Sequence, residues 1–338
     1  MIPSAYDDRR ERRIAMQQSV ASLFQLYLER SDFREATVEF KQRTLNRFTG
    51  WFGDLPVASI DVTHAEDYRA MLSKTLKPKS VCGYIENFKP FWSWLQKRGY
   101  VSHNPFADLR VTVDEVPRTT FTTAELGRLM GVANDIERLQ IAFGLVGCRR
   151  GEALNLQVRD MRLDEIPHAV IARKEASKGT WPWGVKNHRL RYIGLPETMA
   201  FDGFEYGFLA AIRTRIVALG RNPEGYLCVP DKYVAKLLEW QKAGELTYAQ
   251  RRDPTGNHPR TFKALQRRAG ILEPRRFHEL RAAFTTSQLD AGMDIGRVAK
   301  LVGHSSINQT KHYDRKSQLS LVAEAARVAS KSYVTKVS

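Results

Sequence analysis

HELRAAFTTSQLDAGMDIGRVAKLVGHSSINQTKHY, residues 278–313, is the stretch on which the rest of the chain turns. It opens with His278 and Arg281, whose spacing makes them neighbours on one helical face. IGRVAKLV continues with an apolar helical pattern, and Gly303 stands where a helix commonly ends in a left-handed cap. The closing GHSSINQTKHY packs two histidines, three hydroxyl side chains and a tyrosine into one short run. Taken singly, each has a plain structural explanation. His278 could be an interior histidine with its hydrogen bonds satisfied, Gly303 and His304 a cap and its neighbour, Tyr313 a core aromatic. A zinc site on His278, His304 and His312 lacks the HExxH spacing and any cysteine partner, so no metal is expected.

Outward from that stretch, the whole chain sets the context. Its 338 residues leave room for two ordinary domains, and 43% hydrophobic content supports real cores. A formal net charge of +16 calls for a polyanionic partner, with nucleic acid first and an anionic membrane second. Cys82, Cys148 and Cys228 are scattered without a CxxC pair. That disfavours a disulfide framework or zinc ribbon and fits a reducing cytoplasm. The opening MIPSAYDDRRERR has no apolar signal core, and no run is long and apolar enough to span a bilayer. The expected location is therefore the cytoplasm, with no membrane partner.

Periodicity predicts a mainly α protein with a small β-hairpin or sheet. Residues 1–15 are charged and expected to be disordered. Residues 16–107 read as four helices. Leu23, Phe24, Tyr27 and Leu28 mark the first; Val38, Leu45, Phe48 and Phe52 mark the second, ended near Gly53. THAE at 63–66 reads as a capping box with Thr63 as N-cap, opening a helix that buries Tyr68, Met71 and Leu72. The fourth runs from about Lys79 to Arg98 with a stripe of Tyr84, Phe88, Phe91, Trp92 and Leu95. Residues 108–120 lack helical spacing and carry Pro117, as a linker would. A second domain, 121–318, opens on the capping box TTAE at 122–125, with helices at 123–132 and 135–147. HAVIARKEA and RLRYIGL alternate like strands, and SKGTWPWGVKN between them reads as a long hairpin tip. After Leu195 the pattern is mostly helical, ending in an amphipathic tail at 319–338.

Two further clusters belong with the opening stretch. LVGCRRGEALNL places Arg149 and Arg150 at a glycine-bracketed helix junction, and the hairpin tip carries Lys186. Alone, Arg149 could be a surface ion pair and Lys186 a solvated lysine. Together with HELR, GH and Tyr313, in this order and spacing, they resemble the tyrosine recombinase (phage integrase) family, which carries Arg, Lys, HxxR, GH[SA]S and Tyr. LVGCRRGEALNLQVRDM looks like the family's first arginine box, with Glu152 where the family has an acidic residue. The stretch from His278 to Arg315 matches its second box almost throughout. LKPKSVCGYIENFKPFWSWLQKRGYVSHNPF is similar to its core-binding helices. The resemblance covers about residues 18–318. Cys148 stands where leucine is commoner and Val146 where threonine is frequent; neither is a reacting group. The hairpin offers Lys174, Lys178 and Lys186, and Lys186 is preferred because KNHRLRYIGLP resembles the family's lysine turn.

The resemblance implies a four-helix, SAM-like core-binding domain and an α+β catalytic domain, closing around duplex DNA. It implies a site-specific recombinase that cleaves and rejoins DNA through a 3′-phosphotyrosine on Tyr313. Arg149 and Arg281 would clamp the non-bridging phosphate oxygens, since guanidinium forks give permanently charged bidentate donors. His304 would add a donor, His278 a donor and proton acceptor, Glu152 support, and Lys186 the proton for the leaving 5′-oxygen. No cofactor is implied. Arg43, Arg47, Lys74, Lys77, Lys79, Lys89 and Lys97 make the helical domain basic and are the expected DNA contacts. The expected partner is a double-stranded recombination site, held by a homo-tetramer on synapsed DNA, with a monomer or weak oligomer when free. In that assembly Leu319, Leu321, Val322 and Ala325 of the tail would dock on the next protomer. The alternatives are a DNA-binding regulator without catalysis and a type IB topoisomerase-like enzyme.

Overall fold

Val20, Leu23, Phe24, Tyr27 and Leu28 recur at helical spacing and form the buried stripe of α1 (Val20–Glu29), whose N-cap Ser19 accepts the Ser22 N–H. The computed structural model describes residues 17–114, 120–184, 190–304 and 306–311. The expected disordered start, part of the linker, Lys186, Tyr313 and the tail lie outside these residues. The chain divides into two compact units, one on either side of residues 117–118.

In the first unit α1 is joined by α2 (Glu35–Phe52), α3 (Val62–Thr75) and α4 (Pro78–Lys97). Gly53 ends α2, and Pro78 at the first turn of α4 has the fixed φ that position suits. The core is strongly aromatic: Phe24, Phe48, Tyr68, Phe88, Phe91, Trp92 and Phe106 are all fully buried. Phe88 alone lies within 6.1 Å of the Phe24, Phe48, Tyr68, Phe91, Trp92 and Phe106 ring centroids. Rings at such spacing add about 0.5–1.5 kcal/mol per pair beyond burial. The capping box of α3 differs from the sequence expectation. Asp61, not Thr63, is the N-cap, and its carboxylate accepts the His64 N–H at 3.0 Å. Aspartate caps as well as threonine, and capping from Asp61 starts the helix at Val62.

The second unit begins with α5 (Thr123–Val132), where Thr122 and Glu125 form the expected reciprocal capping box. α6 (Asp135–Leu145) follows, then the short α7 (Arg150–Ala153). Strands β1 (Met161–Arg162), β2 (His168–Ile171) and β3 (Arg191–Gly194) form an antiparallel sheet in that order, with Ile171 opposite Arg191 and Ala169 opposite Ile193. After Leu195 the described residues are mostly helical as expected, but they open on a hairpin the sequence reading did not include: β4 (Thr198–Phe201) and β5 (Phe204–Gly207) turn on Asp202 and Gly203, with Gly203 at φ +78. An Asp-Gly turn between short strands is a strong local hairpin signal. The rest is helical: α8 (Phe208–Ala218), α9 (Asp231–Ala243), α10 (Tyr248–Arg252), α11 (His258–Arg268), α12 (His278–Asp290), α13 (Ile295–Val302) and α14 (Ile307–Lys311).

The β2–β3 connection carries the antiparallel bridges of a hairpin, Lys174 with Trp183 and Ser177 with Thr180. Within it Trp181 is fully buried, stacks on Tyr226 at 3.8 Å and donates its indole N–H to Asn155 Oδ1 at 2.7 Å. Ser177 and Thr180 both donate to the Glu224 carboxylate. This part of the insertion is folded onto the body of its unit. Among the described residues no helix is long and apolar enough to cross a membrane.

Candidate active site

α6 and α12 pack closely enough that a Cβ on Gly144 would lie 2.9 Å from Leu280 Cδ1. That approach brings the loop after α6, Gly147–Arg149, against the first turns of α12, which carry His278 and Arg281. Gly147 sits at φ +93, a conformation that disfavours any side chain, and a Cβ there would also meet the Phe284 ring at 2.9 Å.

The third contributor is the C-terminus of α13. A helix leaves its last carbonyls without intrahelical partners and carries partial negative charge at that end. Gly303 closes α13 in the left-handed conformation (φ 64, ψ 46), and the His304 N–H returns to the Ala299 carbonyl at 2.9 Å, as in a Schellman cap. Three terminal carbonyls remain, and each accepts an arginine. Arg191 Nη1 donates to Leu301 O at 3.3 Å, Arg281 Nη2 to Val302 O, and Arg149 Nη2 to Gly303 O at 2.7 Å. Gly147 O takes two more of these donors, Arg281 Nη1 at 2.6 Å and Arg191 Nη1 at 3.3 Å.

One carboxylate serves this cluster. Glu152, 4% exposed, accepts from Arg149 Nη1 at 2.6 Å, from the Arg149 backbone N–H at 2.7 Å, and from Arg191 Nη2. Burial pushes the Glu152 carboxyl up, but Arg191 and Arg149 outweigh it and hold it below its ordinary value, so it is ionised at neutral pH. Arg281 is 1% exposed. Burial first, then the Arg149 and Arg191 guanidiniums, pulls its pKa down to about 9, which leaves it charged at pH 7. Its Nε finds no hydrogen-bond partner among the described residues.

His304 follows the cap and is half-buried, with Nδ1 2.8 Å from the Thr310 hydroxyl. Burial, then Arg281 and Arg149, lower its pKa to about 4, so the ring is neutral at pH 7. His278 is exposed at the start of α12 and close enough to add to the same lowering. The structure thus gathers Arg149, Glu152, Arg281, His304 and His278 of the expected set. Arg149 and His304 are partly exposed at this cluster, whereas Arg281 is sealed beneath it.

Of the three hairpin lysines, Lys174 is buried and ion-paired with Asp160, and Lys178 is exposed. Lys186 and Tyr313 lie outside the described residues. In the first unit Lys74, Lys77 and Lys79 stand exposed around the α3–α4 turn, and Lys97 is exposed at the end of α4. Arg43 is exposed beside Glu39, Arg47 lies over the Tyr84 ring at 5.2 Å, and Lys89 is paired with Glu86 at 2.8 Å. Among the described residues no group of three or more His, Cys, Asp or Glu side chains is placed to hold a metal ion.

Sequence reasoning missed Arg191. Its signal lay in RLRYIGL, where alternation puts Arg191 on the same face as Ile193 and Leu195: a charge at an inward position of a half-buried strand asks for a partner. It missed Thr310 too. Of the hydroxyls between His304 and Tyr313, Ser306 accepts the Asn308 N–H, whereas Thr310 meets the His304 ring.

The chain is similar to known integrases and recombinases. The model of the phage integrase family matches residues 230–319. The tyrosine recombinase XerC of Oceanobacillus iheyensis is 24% identical over 292 residues, covering 82% of this chain and 84% of the relative. Among solved structures, the Tn1549 transposon integrase in complex with transposon right end DNA superposes with a TM-score of 0.68 at 16% identity, over 92% of this chain and 100% of the other. A lambda integrase tetramer bound to a Holliday junction gives 0.61 at 16% identity, over 85% and 78%. The phage integrase match over residues 230–319 and the Xer tyrosine recombinase relatives together support the tyrosine recombinase family for this chain.

Proposed function

We propose that the chain is a site-specific DNA recombinase that breaks and rejoins strands through a covalent 3′-phosphotyrosyl link to Tyr313, in integration, excision or resolution of mobile, plasmid or chromosomal DNA. The observation that carries this reading is the gathering of Arg149, Arg281 and His304 on the end of α13, just ahead of Tyr313 in sequence. A phosphodiester resists attack because it is anionic. Its pentacoordinate transition state concentrates charge on the non-bridging oxygens, and fixed cationic donors in a dry site stabilise that charge. Arg149 and His304 would hold those oxygens, with Arg281 supplying charge beneath. Tyr313 has an ordinary pKa near 10 and would lose its proton during attack, helped by the surrounding cations and by His278. Lys186 would protonate the leaving 5′-oxygen. Lys174 suits that role less well, since Asp160 occupies it. The covalent link conserves the phosphodiester energy, so a 5′-hydroxyl from another strand can reverse the step.

The first unit would serve as the core-binding domain, through Lys74, Lys77, Lys79 and Lys97 together with Arg43, Arg47 and Lys89, and the second as the catalytic domain. Contacts of this kind make affinity fall steeply with salt. The recombination site would be held by a tetramer in the cytoplasm, with residues 319–338 linking protomers. Deleting that tail would spare single-site binding and abolish synapsis.

The decisive experiment finds the site as it tests the chemistry. Fragmented, nicked host and element DNA is incubated with the protein, the reaction is quenched in detergent, and covalently attached DNA is sequenced beside a Tyr313→Phe control. Attachment clustered at one repeat and lost in the control is the expected result. Attachment scattered over many sequences would indicate a topoisomerase. Tight binding with no attachment would remove the catalytic reading.

A further inference from the structure

Thr310 is fully buried and stands three residues before Tyr313 in sequence. A buried hydroxyl hydrogen needs an acceptor, because leaving it unpaired forfeits its hydration with nothing in return. Threonines in helices commonly give that hydrogen to a carbonyl in the preceding turn, as Thr44 gives its own to Phe40 O and Thr285 to Arg281 O. Thr310 makes no such bond; among the described residues its hydroxyl meets only His304 Nδ1, at 2.8 Å.

This contact fixes more than a distance. The arginines beside His304 disfavour a positive ring, so at neutral pH the imidazole carries one proton. A neutral imidazole has one donor nitrogen and one acceptor, and the partner of one decides the role of the other. If the Thr310 O–H donates to Nδ1, Nδ1 is the acceptor and Nε2 holds the proton. We propose that Thr310 is a positioning residue that fixes His304 as the Nε2–H tautomer, so that the ring presents a neutral hydrogen-bond donor to a phosphate oxygen.

The arrangement suits a site already crowded with guanidiniums. A protonated histidine there would repel three cations, whereas a neutral N–H adds a directed donor without adding charge. It also couples two parts of GHSSINQTKHY: the short helix leading to the nucleophile carries the hydroxyl that sets the state of the histidine at the other end. The tautomer rests on the Thr310 contact and on the neutrality of the ring; its use toward phosphate rests on the recombinase reading.

The test is ¹⁵N NMR of the full-length protein labelled at histidine, with the His304 resonances assigned by their loss in His304→Gln. At pH 7 the expected result is an unprotonated, hydrogen-bonded Nδ1 and a protonated Nε2. A proton on Nδ1 in the wild-type protein would overturn the proposal, whatever any variant does. In Thr310→Val, the Nδ1 resonance should move toward that of an unbonded ring nitrogen. Covalent DNA attachment should fall about tenfold or more, the scale of a misplaced catalytic group, at unchanged DNA affinity. Thr310→Ser should restore both. An unmoved Nδ1 resonance and undiminished attachment in Thr310→Val also overturn it. Failure of the wild-type protein to attach to DNA at all would remove the recombinase reading but leave the nitrogen assignments to be read directly.

Discussion

Among the described residues, Lys41 in the first unit and Arg281 in the second are the most deeply buried cations of each, and the two are held in opposite ways. In the first, Lys41 is 3% exposed, with Nζ 5.0 and 4.8 Å from the Tyr27 and Phe33 ring centroids and 3.2 Å from Asn87 O. No carboxylate pairs with it among the described residues, and burial pulls its pKa down to about 8. In the second, Arg281 is more deeply buried but rests on two backbone carbonyls, above a carboxylate that its neighbours share. Lysine in an aromatic box can shed its proton when its surroundings grow dry; arginine on carbonyls cannot, and keeps its charge for a ligand. A cation that serves packing and a cation that serves chemistry are thus told apart by what surrounds them.

Exchanging the two solutions breaks the comparison most severely. Arg281→Lys places a point charge where a fork spans Gly147 O and Val302 O, in a site dry enough to neutralise an ammonium. Covalent DNA attachment should fall by about a thousandfold, the cost of losing a fixed transition-state charge, with DNA affinity nearly unchanged. Retained attachment would show that the fork is not needed. Next in size is Arg191→Met. It removes the strand's tie to Glu152, Gly147 O and Leu301 O while leaving Arg149 and Arg281 in place. Because it breaks a buried ion pair, it should cost about 3 kcal/mol in urea denaturation and lower attachment about a hundredfold through misplaced arginines.

Smallest is Lys41→Met, which should raise the stability of the first unit by about 1 kcal/mol, since an uncompensated buried charge gives way to an apolar chain. It also sharpens the contrast through pH. The Lys41 pKa is about 8 in the folded protein against an ordinary 10.5, so between those values the unfolded chain binds more protons. The stability Lys41 confers is therefore complete above about pH 10.5 and lost as pH falls toward 8. Denaturation across that window should show the rise with pH in the wild-type protein and lose it in Lys41→Met.

How much of this the sequence carried depends on how far each signal reaches along the chain. Helical stripes are local, so α1 to α4 and their aromatic core could be read directly from Leu23, Phe48, Phe88 and their neighbours. The cap at Asp61 was legible in principle, but THAE offered a competing box two residues later. The Asp202–Gly203 turn was equally local, hidden by short strands that carry little periodicity. The expected site residues came from motif order, because the reacting groups sit at fixed spacing within two boxes. Arg191 and Trp181 were not legible in the same way. Their partners, Glu152 and Leu301 for one and Asn155 and Tyr226 for the other, are distant in sequence, and only the fold brings them together.

The end of α13 has a consequence for the site's electrical balance. Carbonyl dipoles can aim a guanidinium without neutralising it. Three arginines are oriented there by partial charges, against the single full negative charge of Glu152. Taken by itself, the cluster therefore carries a surplus of positive potential, and mutual repulsion among the cations subtracts from the stability of the unit that holds them. An oxyanion supplies the missing charge. On this view the scissile phosphate completes the architecture as well as being its substrate, and a variant that eased the repulsion by adding a second carboxylate would gain stability by filling the place the DNA is meant to take.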